Sequence, residues 1–350
     1  MSTKRAVRLG FAVALALAGT LASAQGTVLQ PGAHDALAPA GPQAARIGEL
    51  WNLFMVVCGV VFAAVLAALA IALVRAPRAD TGAPADVSMA DRHEPGPYRS
   101  VLFGVGASIV LLVLLLAASV WTDRALARLP LQDALNLTVT GHQWWWEIRY
   151  EGNPASDTFT TANELHVPVG RPVVVTLRSD DVIHSLWVPA LAGKKDLIPG
   201  RTATLQFQAA QPGTYRGQCA EFCGFQHAWM AFEVIADTPE QFAAWAARQR
   251  AEAAEPTDEK LRRGREVFLG STCVMCHAIG GTDASARKAP DLTHVGSRTT
   301  LAAGTLRNDA ESMTRWIRNP QQIKPGVNMP SSTLADADLQ ALVAYLGSLK

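Results

Sequence analysis

Two long segments without a charged residue constrain this chain more than any other feature of its sequence. Residues 50–74 and 101–121 are almost entirely apolar, and each exceeds the ~20 residues with which a helix crosses the hydrocarbon core of a bilayer. Neither has the polar face that a helix on a soluble domain presents to water. Only 17% of the residues are charged, against about 25% in soluble domains. The sequence therefore predicts a multidomain membrane protein with a hairpin of two transmembrane helices, at 47–74 and 101–121.

Charges beside these helices predict how the hairpin is oriented. The connecting loop, residues 75–100, contains four arginines, whereas residues 25–46 contain only Arg46. Positively charged loops stay in the cytoplasm. We therefore expect the loop on the cytoplasmic side, and we expect residues 25–46 and all residues after the second helix to be extracytoplasmic.

The amino terminus has the pattern of a secretory signal peptide. Lys4 and Arg5 precede a short apolar run that ends in Ala22-Ser-Ala24, and small residues of this kind precede the cleavage site. Residues 1–24 are thus predicted to be a signal peptide. The alternative is an uncleaved anchor, for which the apolar run is short.

After the second helix the pattern changes to short segments of alternating polarity. Turn residues such as Pro199-Gly200 separate them, and this spacing predicts an all-β sandwich over residues 135–237. The five segments predicted as strands are 135–140, 144–150, 172–178, 202–208 and 229–235. Thr238-Pro-Glu-Gln241 forms a capping box with proline at the first helical position, and it predicts a helical spacer over residues 238–257.

The C-terminal region contains a haem-attachment motif, Cys273-Val-Met-Cys276-His277. Two thiols at this spacing can bond covalently to one haem, and the adjacent histidine is then its proximal iron ligand. A redox C-x-x-C pair would not explain His277, and a zinc knuckle would need further ligands nearby. The sequence therefore predicts haem c in residues 258–350, where the hydrophobic pattern is helical.

The sixth ligand of such a haem is expected to be a methionine, because a thioether raises the reduction potential of an electron carrier. Met329, in a Met-Pro loop, is the candidate, whereas Met313 lies on an amphipathic helix and is predicted to pack in the core. The order of helices and motifs over residues 258–350 resembles class I cytochrome c. That resemblance implies an all-α domain in which the carbonyl of Pro290 accepts a hydrogen bond from His277.

A second cluster of ligand-type residues lies in the β region. Cys219, Cys223, His227 and Met230 provide two thiolates, an imidazole and a thioether, a soft set that favours copper or zinc over hard cations. A mononuclear blue-copper site uses a single cysteine, so the second one indicates two copper ions bridged by thiolates. His184 offers a second imidazole. The alternatives, a disulfide or a structural zinc site, leave part of this set unexplained.

Together these features resemble subunit II of a haem–copper cytochrome c oxidase, and the fused cytochrome resembles the caa-type branch of that family. The matching segments are Gly141-His-Gln-Trp-Trp-Trp146, Asp181-Val-Ile-His184, Lys195-Asp-Leu-Ile-Pro-Gly-Arg201 and residues 219–230. The resemblance implies a cupredoxin-like sandwich that binds the binuclear CuA centre. The implied ligands are the bridging Cys219 and Cys223, with His184 and Met230 on one ion, and with His227 and the backbone carbonyl of Glu221 on the other.

The resemblance also implies roles outside the copper centre. The carboxylate of Glu221 matches a ligand to a magnesium ion at the contact with subunit I, and Trp144 matches the aromatic residue through which electrons reach the copper. A carboxylate that in many relatives feeds a proton path has no clear match here, and Glu94 is the nearest candidate. Three lone histidines and one cysteine in the first apolar segment are assigned no metal: His142, His166, His294 and Cys58.

The implied function is that of the electron-input subunit of a respiratory terminal oxidase. Reduced cytochrome c would deliver electrons to the chain's own haem c, from which they pass to CuA and then to the haem of subunit I. There O2 is reduced to water with coupled proton translocation. The implied partners are subunits I and III, cytochrome c and the lipid of the bacterial cytoplasmic (inner) membrane, with both domains on the periplasmic face.

Two alternatives stay open at this point. One is the subunit of a CuA-type nitric oxide reductase, and the other is a stand-alone membrane-anchored electron-transfer or copper protein. The near balance of 31 basic and 30 acidic residues argues against nucleic acid as a partner, because binding it needs a concentrated basic surface.

Overall fold

The computed structural model describes residues 34–76, 95–128 and 130–350. The predicted signal peptide, Glu94 and most of the predicted cytoplasmic loop lie outside these described residues.

The two apolar segments form long helices. Helix α1 extends over Pro42–Arg75 and α2 over Pro95–Ala127, so each is longer than the segment predicted to cross the membrane. Their most apolar 18-residue windows have mean hydropathies of 2.9 and 2.8, and none of the residues in either window is buried by the described part of the chain. An exposed apolar surface of this size needs a bilayer or a protein partner to cover it.

The start of α1 is fixed to the β region. Ala40 N donates to the carbonyl of Ala190 at 2.7 Å, and the carbonyl of Ala40 accepts from Ala210 N at 2.8 Å. Gly41 approaches the backbone so closely that a Cβ there would lie 2.3 Å from the carbonyl oxygen of Gln208. The amino-terminal end of the hairpin is therefore held against the sandwich described next.

Residues 135–237 form two five-stranded sheets. One sheet has the strand order β3-β2-β1-β5-β8, and the other has the order β4-β10-β9-β6-β7. Alternate side chains point inward, as Leu135, Leu137 and Val139 do in the first strand, and together they form one apolar core. The strands are β1 Leu135–His142, β2 Trp145–Tyr150, β3 Phe159–Ala162, β4 Glu164–Pro168, β5 Val173–Ser179, β6 His184–Trp187, β7 Lys195–Leu197, β8 Ala203–Phe207, β9 Gly213–Cys219 and β10 Ala231–Asp237.

The sandwich has more strands than the alternating pattern predicted. Strands β3, β4, β6, β7 and β9 lie outside the five predicted segments because they are short or polar; β7 has only three residues, and its first two are Lys195 and Asp196. The segment predicted as a strand over 229–235 starts later, at Ala231, because His227–Trp229 form a single 3-10 turn.

The capping box begins a helix as predicted, but the helix is shorter than expected. Helix α3 extends over Pro239–Gln249, with the Thr238 hydroxyl accepting from Gln241 N at 3.3 Å. The predicted helical spacer therefore ends as a helix at Gln249. Trp245 packs into the core of the sandwich and stacks on His166 with ring centroids 4.1 Å apart. Because packing of the Trp245 face stabilises this helix, it ends where those contacts end.

The C-terminal region is helical, as predicted. Its helices are α4 Glu259–Leu269, α5 Ala310–Arg318, α6 Pro320–Ile323 and α7 Asp336–Ser348. Helices α4 and α7 cross at Gly264, where a Cβ would lie 2.1 Å from the carbonyl oxygen of Ala341, so the crossing requires glycine. A small hairpin, β11 Thr300–Leu301 and β12 Leu306–Arg307, is the one departure from the predicted all-α domain within the described residues.

Candidate copper centre and haem-binding segment

The strands of the second sheet bring the predicted copper ligands to one end of the sandwich. His184 begins β6, and Cys219 ends β9, which pairs with β6 in antiparallel fashion. The loop from Cys219 to Met230 folds back on itself, because Cys219 N donates to the carbonyl of Met230 at 2.9 Å. Ligands that are distant along the chain thus meet through strand pairing.

Four of the six predicted donor groups surround the other two, the sulfur atoms of the two cysteines. The Sγ atoms of Cys219 and Cys223 are 3.8 Å apart, far beyond the ~2.05 Å of a disulfide bond, and both cysteines are free. Around Cys219 Sγ lie His184 Nδ1 at 3.9 Å and the carbonyl oxygen of Glu221 at 3.3 Å. Around Cys223 Sγ lie His227 Nδ1 at 3.6 Å and Met230 Sδ at 3.8 Å.

This donor set fits copper. A structural zinc site would use four donors in a tetrahedron, whereas the thioether and the carbonyl extend this set to six. Thiolate and thioether sulfurs together favour copper. The cluster lies in the interior, where His184 and Met230 are both 0% exposed, so an ion held there would be shielded from water.

The pKa values of the two thiols are shifted in opposite directions. A hydrogen bond from Cys223 lowers the pKa of Cys219 to about 4, against the opposing effect of burial. The same contact, with burial, raises the pKa of Cys223 above its usual value. The protein alone therefore favours one thiolate and one thiol, and deprotonation of both needs the positive charge of bound metal.

Asp181 orients His184, a role that the sequence pattern alone does not predict. Its Oδ1 lies 2.8 Å from His184 Nε2, which leaves Nδ1 directed to Cys219. Burial opposes the ionised carboxylate, but hydrogen bonds from His184, Val182 N and Gln143 N lower the pKa of Asp181 overall. Burial alone would lower the pKa of His184. The hydrogen bond to Asp181 raises it, and the net result is a raised pKa.

Trp144 touches the copper loop through its ring nitrogen. Trp144 Nε1 donates to the carbonyl of Cys223 at 3.0 Å, and Gln143 Nε2 donates to the same oxygen at 2.7 Å. The neighbouring Trp146 is enclosed in the sandwich core, whereas Trp145 stacks on His142 at 4.4 Å. Trp144 is therefore the tryptophan of this motif that is bonded to the ligand loop.

The backbone and the side chain of Glu221 lie in different surroundings. Its carbonyl is directed to Cys219 Sγ, while the side chain is exposed. Phe222, Phe225 and Trp229 next to it are also exposed. The copper loop thus presents a carboxylate among apolar side chains on its outer surface, which is typical of a protein contact.

The haem motif lies on a short turn after α4. Thr272–Met275 form a 3-10 turn that carries Cys273, and His277 follows it. His277 Nδ1 lies 2.7 Å from the carbonyl oxygen of Pro290, the contact that the sequence led us to expect, and Nε2 stays available to iron. Burial lowers the pKa of His277, which favours the neutral imidazole that binds metal.

The two methionines considered as haem ligands differ in burial. Met313 is buried in the core of the C-terminal region, whereas Met329 is half-buried at its edge. Gln321 Nε2 donates to the carbonyls of Val327 at 2.7 Å and Met329 at 3.0 Å, which fixes the loop that carries Met329.

The lone histidines have other contacts. His166 Nδ1 lies 2.7 Å from Asp237 Oδ2, and His294 Nε2 lies 3.0 Å from the carbonyl oxygen of Ala251. Cys58 lies on the exposed surface of α1.

Comparison with known proteins accounts for this combination of sites. Residues 152–237 match the family described as cytochrome c oxidase subunit II, periplasmic domain, and residues 261–350 match cytochrome c. Cytochrome c oxidase subunit 2 of Alkalihalophilus pseudofirmus is 36% identical over 321 residues, which cover 90% of each chain. The chain belongs to the cytochrome c oxidase subunit II family. The corresponding subunit of Bacillus sp. PS3 is 31% identical over 274 residues, covering 73% of this chain and 75% of the relative.

Among solved structures, the periplasmic domain of subunit II of the Bradyrhizobium japonicum cytochrome oxidase is 32% identical. The match covers 35% of this chain and 97% of the Bradyrhizobium chain, with a TM-score of 0.32.

Family membership confirms the predicted fold class: two apolar helices, a cupredoxin-like sandwich and a helical cytochrome c domain. The chain is a subunit of an oxidoreductase, cytochrome c oxidase, and its two domains imply CuA and haem c as cofactors. It is membrane-anchored with periplasmic domains, and as subunit II it implies subunit I as a partner.

Proposed function

We propose that this chain is the electron-input subunit of a respiratory oxidase and carries electrons from cytochrome c, through its own two domains, to subunit I. The observation that carries the proposal is the arrangement of four further donor groups around two cysteine sulfurs 3.8 Å apart, beside a tryptophan hydrogen-bonded to the same loop. Bound copper and haem supply reversible one-electron chemistry. The protein supplies position, burial and a fixed route.

The proposed grouping of the copper ligands follows the pattern of the family, and the contacts around the two sulfurs support the set of six donors but do not divide it between the ions. Cys219 and Cys223 would hold both ions. His184 and Met230 would complete the ligands of one ion, and His227 and the Glu221 carbonyl would complete those of the other. Asp181 holds the His184 ring in place, so the ligand set is organised before metal binds.

The haem is proposed to attach through Cys273 and Cys276, with His277 and Met329 as axial ligands. The Pro290 carbonyl restrains His277, and Gln321 restrains the Met329 loop. No residue of the chain is assigned as a general acid, base or nucleophile, because electron transfer between the domains makes and breaks no covalent bond.

Trp144 is proposed as the residue through which electrons reach the copper centre. Its ring is buried, and its Nε1 donates to the carbonyl of a bridging cysteine. A hydrogen bond of this kind gives a short, direct connection to the metal-bearing loop.

The exposed surface around Glu221 is proposed as the contact with subunit I, with the carboxylate binding a shared magnesium ion. Oxygen binds in subunit I, where it is reduced to water with coupled proton translocation. Subunit III and the lipid of the bacterial cytoplasmic membrane complete the proposed environment, with both domains on the periplasmic face.

The proposal is tested by purifying the complex through this subunit and measuring its metals, haem and gas consumption. We expect CuA and haem c in this chain, a co-purifying haem-bearing subunit, and oxygen consumption driven by reduced cytochrome c. Consumption of nitric oxide instead of oxygen would assign the chain to a nitric oxide reductase. Recovery of the loaded chain without a partner subunit would favour a stand-alone carrier.

A further inference from the structure

A buried lysine joins the cytochrome domain to the copper domain. Lys324 follows α6 and precedes the Met329 loop, and it is only 1% exposed. Its Nζ lies 2.8 Å from the carbonyl oxygen of Trp229, 3.0 Å from that of Ala302 and 3.2 Å from that of Trp144. An ammonium group has three donors and no acceptor, so three carbonyls satisfy it completely.

The position of this cation is unusual. Lysine is almost never fully buried without a charged partner, and the ion pairs among the described residues do not include Lys324. Burial lowers the pKa of Lys324 to about 7, while the three carbonyls favour its charged form. Two of those carbonyls belong to the copper domain, one from Trp144 itself and one from the residue before Met230.

The residues after Lys324 cover the ring of Trp144. The Pro325 carbonyl accepts from Gln226 Nε2 at 2.6 Å. A Cβ on Gly326 would lie 3.8 Å from Trp144 Cη2, and Val327 packs against the sandwich core. Trp144, beside this loop, is only 8% exposed.

A second set of contacts holds the same two domains together. The buried Glu164 accepts from Thr299 N at 2.5 Å and from Thr299 Oγ1 at 2.7 Å. Ala231 N, at the start of β10, donates to the carbonyl of Ala303 at 3.1 Å. Separation of the domains would break these hydrogen bonds together with those of Lys324. Domains joined only by a linker move relative to each other, whereas these contacts fix one on the other.

We propose that Lys324 is a positioning residue for electron transfer, which holds the loop of residues 324–329 against Trp144 and keeps the haem-binding domain docked on the copper domain. The inference rests on the proposed function, because it assumes that haem and CuA are loaded. Electrons then pass between the domains without a docking step. An external cytochrome c cannot reach the covered Trp144, so it delivers its electron to the cytochrome domain.

The test compares Lys324→Met with Lys260→Met, a change of an exposed lysine in the same domain, in the intact oxidase complex. Reduction of haem c and then of copper is followed by absorbance after rapid mixing or a light flash, with and without glycerol. In the wild type and Lys260→Met we expect haem-to-copper transfer that does not depend on viscosity. In Lys324→Met that step should slow by about tenfold or more, since its rate falls with the fraction of molecules in which the two domains are docked. It should also become viscosity-dependent, because the domain must dock again before each transfer.

Spectra separate a positioning role from structural damage. The contents and spectra of haem c and copper, and the rate at which external cytochrome c reduces haem c, should match the wild type in both variants. Equal haem-to-copper rates in Lys324→Met and wild type would overturn the role of Lys324 alone. Viscosity-dependent transfer in the wild type would overturn the docked arrangement even if Lys324→Met failed to assemble. A wild-type complex without copper or haem c would overturn the proposed function and this inference together.

Discussion

The copper domain and the cytochrome domain hold their sites in different ways. The copper donors lie at the start of β6, at the end of β9 and in the loop that leads to β10, and most of the large apolar core of the sandwich is made of other residues. The haem donors lie on a turn and a loop between the helices of a much smaller core. A small domain buries too little apolar surface to be very stable by itself. We therefore expect the copper domain to fold without its metal. We expect the cytochrome domain, in contrast, to depend on bound haem for its stability.

The largest expected effect, which tests this difference between the domains, is that of losing haem attachment. A Cys273→Ala, Cys276→Ala chain should lose haem c, and its cytochrome domain should unfold or become sensitive to protease, because a cofactor that binds only the native state stabilises it. The matched change in the other domain, Cys223→Ser, should empty or convert the copper site and leave the sandwich folded. Haem staining, copper analysis and limited proteolysis report the three outcomes. Equal protease resistance of both variants would show that the two domains do not differ in this way.

The second effect concerns the axial ligand. Met329→Ala should keep haem attached, let the iron bind carbon monoxide, and lower its potential, because the thioether is lost. Met313→Ala is the control, since this buried side chain packs in the core; it should reduce stability by about 2–5 kcal/mol and leave the potential unchanged. Redox titration and thermal unfolding separate the two. If Met313→Ala instead opened the iron, the ligand assignment would be wrong.

The third and smallest effect lies between the domains. Trp144→Ala should slow reduction of copper by haem c without changing copper content, because the hydrogen bond to the Cys223 carbonyl is lost. Trp145→Ala, which removes a ring stacked on His142, should leave the rate unchanged. Stopped-flow absorbance follows both centres. Equal rates in the Trp144 and Trp145 variants would remove Trp144 from the route.

These contrasts also explain what the sequence could and could not predict. The haem motif and the copper loop are local, so their chemistry is legible in the order of residues. His184 is a candidate because it offers a second imidazole, but it lies 35 residues from Cys219 along the chain, and only strand pairing brings the two together. The burial of Trp245 and the end of α3 at Gln249 depend on packing against the sandwich.

The burial of Lys324 could not be predicted from the sequence. A lysine after a short helix is typical of an exposed loop, and only the contact between domains buries it. Asp181 is intermediate: it stands in a recognisable motif, but its role depends on the 2.8 Å contact with His184.

The central claim, that two thiolates bridge two copper ions, is tested most directly by the EPR spectrum of the oxidised wild-type complex. We predict the pattern of one unpaired electron shared equally between two copper ions, and we predict its loss in Cys223→Ser while the haem c absorbance persists. A wild-type spectrum with the four-line pattern of a single copper ion would contradict the account.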